Sequence, residues 1–379
     1  MNETKKKDSI LRNPVVQSLL ASLLCILLGL VIGYIALLII NPEGASDAIL
    51  MVLKNFLKYS RQNLQIKNFG NTLIKTAPLI MCSLSVLFAY KVGLFNIGAA
   101  GQYVVGAGAS LYCALALGMP WWVCLLAAAL AGAVWGAISG VLKAYRNVNE
   151  VISCIMLNWI GLYLVNMLLS AVKNPTGKDT YELATKNASA ILPSLGMDTL
   201  FNGSKVTIAV PLAVLFAVAV WVVLDKTKLG YELKATGLNK NAAKYAGMQE
   251  KRNIILTMAL SGMLAALGAA MLFLSDFTQW DCNQTSLPGM GFNGIAAAFL
   301  GGLNPIGTVF ASYFIQHITD GGSYVNLSIY CSQISDFISA VIIYLCGFVL
   351  FFKLYLVKLL DRHAEKKLQK AAGLQKEGK

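Results

Sequence analysis

The chain has 379 residues, of which 57% are hydrophobic and 13% charged, and its formal net charge is +13. That charged share is about half the average for a soluble domain, which excludes disorder, a secreted disulfide scaffold and a water-soluble enzyme. The mean hydropathy of +0.63 leaves a polytopic membrane protein, and the positive charge then reads as an anchor on one membrane face before it reads as a nucleic-acid footprint.

A helix that spans a bilayer core needs about 20 predominantly apolar residues. Ser18–Ile40 supplies the first such run, after the basic stretch Lys5, Lys6 and Lys7. It is too long for a signal-peptide core and reads as an anchor that stays. Thr72–Tyr90, Phe95–Leu117, Trp121–Leu142, Val151–Val172 and Lys205–Leu224 follow. After a polar interval come Ile254–Leu274, a short Gly-rich stretch Gly289–Leu303, Pro305–Thr319 and Asp336–Phe352. The expected fold is therefore all-α, with about ten transmembrane helices. Residues 1–17 form a cytoplasmic N-terminus, 18–352 the transmembrane domain and 353–379 a basic cytoplasmic tail. With both termini inside, the inner segments hold 22 Lys and Arg and the outer loops 7, and Lys75 and Lys205 at span ends complete the 31, as the positive-inside rule requires. The outer segment 41–71 resists with four basic residues; it is long and amphipathic.

Gly93-Leu-Phe-Asn-Ile-Gly98 is echoed by Gly302-Leu-Asn-Pro-Ile-Gly307. An echo in each half suggests two five-helix repeats, a common transporter construction; helix-breaking residues recurring independently would also produce it. Trp121–Leu142 carries Gly132, Gly136 and Gly140 at four-residue spacing, a flat strip for a neighbouring helix. Gly29 and Gly33 read the same way.

Polar groups inside apolar runs must find partners or line water. Asn96 and Gln102 flank Gly98 and Gly101, and Asn293 and Asn304 surround Gly294, Gly301 and Gly302. Each cluster suits either a broken helix beside a translocation path or close packing with Asn as interhelix glue. Glu150, Asn158 and Asn166 share one helical face, either as a pore stripe or, for Glu150, as a helix-start charge favoured by the dipole.

No catalytic constellation stands out, and no cofactor or metal is implied. His317 and His363 are the two histidines, and His317 reads as a packed polar residue. The eight cysteines contain no C-x-x-C pair. Most fall in spans as core fillers, but Cys282 and Cys331 fall in outer loops and are candidates for a disulfide. The string Gly70–Thr76 lacks the second glycine of a phosphate-binding loop, so an ATP-driven system would need its ATPase on another chain. The spans show no buried row of carboxylates for ion coupling.

The inner segment 225–253 is the strongest single feature. Asn239 can cap a short helix through Asn241–Tyr245, and Gly247 can stop it. Ala242, Ala243 and Ala246 leave one side small enough to dock into a groove.

Glu232–Gly247 resembles the cytoplasmic loop of ABC importer permeases of the ribose and branched-chain amino acid class. Gly93–Gln102, Asn149–Asn158 and Gly291–Gly307 are similar to signatures of the nucleoside branch of that family, the system that depends on basic-membrane-protein lipoproteins. The resemblance covers about residues 70–350 and departs at Ala100, where the family commonly carries Glu. It implies the permease of an ATP-driven importer in a bacterial plasma membrane. Its partners would be a cytoplasmic ABC ATPase, a second related permease chain and an extracellular substrate-binding lipoprotein. Nucleosides are the expected substrate and simple sugars the alternative within the class. Gly237, Leu238, Asn239, Ala242, Ala243, Tyr245, Ala246 and Gly247 would form the ATPase-coupling loop. Asn96, Gln102, Glu150, Asn158, Asn166, Asn293 and Asn304 are the path candidates. The rival class is an ion-coupled carrier or channel for a small polar solute.

Overall fold

The computed structural model describes residues 14–325, 330, 334–349, 351–355, 357, 358 and 362. Cys331, His363 and most of the predicted tail lie outside them. The described residues contain α-helices, short 3-10 turns and two isolated β-bridges. In chain order the α-helices are α1 (Pro14–Ile40), α2 (Pro42–Lys54), α3 (Gln62–Lys91), α4 (Ala99–Leu115), α5 (Trp121–Arg146) and α6 (Glu150–Leu169). After the single turns α7 (Leu183–Lys186) and α8 (Met197–Leu200) come α9 (Ala209–Lys226), α10 (Lys228–Leu238), α11 (Lys240–Tyr245) and α12 (Glu250–Phe273). The last three are α13 (Met290–Leu300), α14 (Pro305–Gly322) and α15 (Ile334–Cys346).

Each of the ten predicted runs carries a helix. Six are long and apolar enough to cross a membrane: α1, α3, α5, α6, α9 and α12. The Gly-rich stretch is helical only over the 11 residues of α13, about 16 Å of rise against a core of about 30 Å. In α3, 89% of the most apolar window is buried, and in α12 67%, against 28% in α1 and α9. These two helices are therefore the axis, and the less buried ones turn an apolar face outward. α3 packs on α12, α13 and α14, while α12 packs on α3, α4 and α5.

The glycine strip of α5 is a contact surface, as its spacing predicts. A Cβ on Gly136 would lie 2.2 Å from the Met258 carbonyl oxygen of α12, and one on Gly132 2.2 Å from Ala266 Cβ. Gly29 and Gly33 likewise admit Ile342 and Ile338 of α15.

The echo is a shared helix-exit device. Gly93 (φ +75°) and Gly302 (φ +66°) adopt the left-handed conformation that needs no Cβ. The next residue donates back five positions in both copies, Leu94 to Ala89 and Leu303 to Ala298, each at 3.0 Å. The copies leave α3 and α13, which are the second and eighth predicted spans and not equivalent members of two five-helix halves. The echo thus marks a common way of ending a helix.

Two features differ from expectation. Segment 225–238 is not a loop: α9 runs on to Lys226, and Thr227, accepting from Gly230 N–H at 3.1 Å, caps the 11-residue α10. Helix α3 begins at Gln62, thirteen residues before Lys75, so the helix starts well ahead of the apolar run.

Gly136→Leu should destabilise the detergent-purified protein by about 3 kcal/mol or more, since a backbone carbonyl occupies the space. Val134→Ala, on the 64% exposed outward face of the same helix, should leave the melting temperature unchanged.

Candidate functional site

The break between α3 and α4 gathers three of the predicted polar residues. Asn96 and Gln102 form a reciprocal amide pair: Asn96 Nδ2 donates to Gln102 Oε1 at 2.8 Å, and Gln102 Nε2 donates to Asn96 Oδ1 at 3.1 Å. Asn96 Nδ2 also donates to Ser85 Oγ of α3 at 3.0 Å. Gly98, at the N-cap of α4, has no side chain to offer the orphan N–H groups of the first turn. Asn158 of α6 supplies the cap from a neighbouring helix. Its Oδ1 accepts from Gly101 N–H at 2.8 Å, and its Nδ2 donates to the Ile97 carbonyl at 3.2 Å. Gly101 makes this approach possible, since a Cβ there would lie 2.6 Å from Asn158 Cα. Asn96, Gln102 and Asn158 are all buried, so in this conformation the break is sealed and none of the three faces open space.

The second Gly/Asn cluster meets the first. A Cβ on Gly291 of α13 would lie 2.4 Å from Ala100 Cα. Gly291 is thus what lets α13 approach α4 at Ala100, which is fully buried. Asn293 is half-buried. Asn304 is exposed and caps α14, accepting from Ile306 and Gly307 N–H at 2.9 and 3.1 Å with Pro305 at the first helical position. Asn41-Pro42-Glu43-Gly44 starts α2 in the same way.

The stripe Glu150–Asn158–Asn166 lies on one face, but its members are bound. Glu150 pairs with Lys143 at 2.8 Å. Asn166 accepts from Trp280 Nε1–H at 3.0 Å and donates to the Gln284 carbonyl at 2.8 Å. In this conformation the stripe fastens α6 to the body of the protein. Packing also explains His317, which lies between the Leu53 carbonyl (2.9 Å) and the Asn55 amide (3.2 Å).

Sequence reasoning missed the interlocking of segments 172–204 and 275–288. Thr180 N–H donates to the Trp280 carbonyl and Cys282 N–H to the Lys178 carbonyl, each at 2.9 Å. Lys178 pairs with Asp281 at 2.8 Å and Lys205 with Asp276 at 2.9 Å. The Lys178 ammonium, donating to Asp281, holds that carboxyl below the usual range. These contacts join residues 71 to 104 apart, and no local pattern signals them. The Cys282 thiol is buried; its proposed partner, Cys331, lies outside the described residues.

At the opposite end, Asn239 caps α11 by accepting from Asn241 and Ala242 N–H at 3.1 and 3.0 Å. Gly247 (φ +80°) stops it, and Met248 N–H returns to the Ala243 carbonyl at 3.0 Å. Ala242 and Ala246 are exposed, but Ala243 is buried at 4%. The 3.6-residue period turns it inward, which removes it from the docking face assigned from sequence. Leu238 and Tyr245 are 89% and 94% exposed. Cavities of about 500 Å³ (Val92, Tyr145, Gly237, Lys251) and about 440 Å³ (Tyr231, Gly247, Arg252) flank the helix. Gly237 meets the α3 exit backbone to backbone: a Cβ there would lie 2.1 Å from the Val92 carbonyl oxygen.

Asn158→Leu should cost about 2–3 kcal/mol by stranding Gly101 N–H and the Ile97 carbonyl in a buried site. Asn304→Ser, which keeps a capping oxygen, should cost only a few tenths. Thermal melting in detergent compares the two.

The family model described as the branched-chain amino acid transport system / permease component matches residues 68–347. The guanosine ABC transporter permease NupP of Bacillus subtilis is 34% identical over 86% of this chain and 92% of its own. The nucleoside ABC transporter permease NupB of Lactococcus lactis is 33% identical over 82% and 85%. The glucose ABC transporter permease TsgB13 of Haloferax volcanii is 30% identical over 80% of each chain. No solved structure gives a significant match. On the family match and its apolar helices, the chain belongs to this permease-component family: it is a membrane-embedded transport subunit of an ABC transporter.

Proposed function

We propose that this permease imports nucleosides across a bacterial plasma membrane, driven by a separate cytoplasmic ABC ATPase. The observation that carries the reading is the likeness, over more than four-fifths of the chain, to relatives named as guanosine and nucleoside permeases. The chemistry of the bundle supports an uncharged solute. Lys75, Lys143 and Lys205 are each paired with a carboxylate, and the remaining polar groups around the α3–α4 break are neutral amides and hydroxyls. The topology has ten spans with both termini inside, supported by the distribution of Lys and Arg. A second related permease and an extracellular binding lipoprotein complete the complex. Asn96, Gln102 and Asn158 would reach the path only when the bundle opens.

The α10–α11 hairpin, on the inner face in this topology, docks the ATPase. Two large apolar side chains, Leu238 and Tyr245, stand almost fully exposed on it amid charged neighbours, the arrangement expected of interface anchors. Gly237 against Val92 would carry the push into α3. Tyr245→Ala should weaken ATPase binding by about 2 kcal/mol and reduce ATP-coupled uptake while membrane yield holds. Unaltered binding would remove Tyr245 from the interface.

Deleting the gene should abolish uptake of labelled guanosine, and unlabelled uridine, but not glucose, should compete in the wild type. Loss of glucose uptake with guanosine uptake retained would favour the sugar reading, which the resemblance to the glucose permease supports.

A further inference from the structure

Lys75 is the fourteenth of the thirty residues of α3, about 20 Å from the first by helical rise. Its Nζ donates to Asp320 Oδ1 of α14 at 2.9 Å, and the Gln316 amide donates to the same oxygen at 3.1 Å. Eight residues onward in α3 and eight back in α14, Ser83 meets Ser312 at 2.9 Å. The two helices therefore run antiparallel along a polar seam.

Exposure along one face of α3 changes abruptly at this pair. Leu64 and Lys67 are exposed, Asn71 is half-buried, and the Lys75 side chain is 37% exposed. Leu79, Cys82 and Val86, next on the same face, are fully buried. Around Lys75 lie Asn71, which accepts from Ser204 at 2.8 Å, and the Phe277 ring, 5.8 Å from Nζ. A partly exposed ammonium at this depth faces water rather than hydrocarbon. The run of exposed and half-buried positions on this face of α3 thus ends at Lys75–Asp320.

An apolar pair would hold two helices together as well as this one does, or better. This pair is asymmetric: the Lys75 side chain is 37% exposed and the Asp320 side chain 10%, so on separation the ammonium moves into water while the carboxylate keeps the Gln316 amide as a donor. We propose that Lys75 and Asp320 close the translocation path on the face formed by segments 41–71 and 173–204, which is the outer face in the topology above, and that they part to admit solute. The proposal rests on the transport reading and assigns the closure to residues that reading leaves without a role.

The test is uptake of tritiated uridine by cells producing the complete transporter. K75M/D320L should lower it about tenfold or more while membrane yield and melting temperature stay at or above wild type, and the swap K75D/D320K should restore part of it. Wild-type uptake by K75M/D320L would overturn the proposal. So would a loss that tracks a lower melting temperature, which would make the pair structural. A second readout does not depend on uptake. Cys82, seven residues beyond Lys75 on the same face, is kept as the single cysteine in a variant with the other seven changed to serine. A membrane-impermeant thiol reagent added outside should label Cys82 faster when D320N is introduced, and equal protection would count against the closure. If wild-type cells take up no uridine, the nucleoside reading fails while the Cys82 measurement still judges the closure.

Discussion

A helix that begins inside an apolar bundle exposes N–H groups that water cannot reach, and the rest of this structure depends on how that is met at α4. Asn158 reaches from α6 to Gly101 and Ile97, and the Asn96–Gln102 pair ties the same turn to Ser85. Burying polar groups is tolerable because each has its partner. The result is a break in the secondary structure that is closed yet held by directional bonds, joining α3, α4 and α6 at one point. Gly101 and Gly291 permit the backbone approach that makes the knot dry.

The same turn lies next to the inner hairpin. Gly237 at the end of α10 touches Val92 and Gly93 at the exit of α3, and Asn253 at the start of α12 donates to Thr236 at 2.8 Å. Under the proposed coupling role, a displacement of α10 would reach both axial helices through this backbone contact and the Asn253 hydrogen bond. No long flexible side chain intervenes to absorb it.

Much of the fold was legible because hydrophobic runs, glycine strips and caps are local signals. The strip Gly132–Gly136–Gly140 packed as its spacing implies, and Asn239 and Gly247 bound α11 as their chemistry dictates. The path candidates were less legible, because an amide in an apolar run looks the same whether it caps, packs or lines water. Asn304 is explained by capping and Asn166 by its bonds to Trp280 and Gln284, and only the three-dimensional arrangement could say so. The apolar run starts near Lys75 whereas the helix starts at Gln62, because the polar first turns of α3 carry no hydropathy signal. The partner of Lys75, Asp320, is 245 residues away, beyond any local pattern. Ala243 was misplaced within a correctly predicted helix because small residues mark either face equally well.

A gated passage worked by a separate motor must move its solute only when that motor turns over. The most direct measurement is accumulation of labelled guanosine in proteoliposomes holding the purified complex, with the binding protein and ATP on their respective sides. Accumulation that requires ATP, stops without the ATPase chain and is indifferent to ion gradients is the predicted result. Accumulation by the permease alone, driven by a proton or sodium gradient, would contradict it.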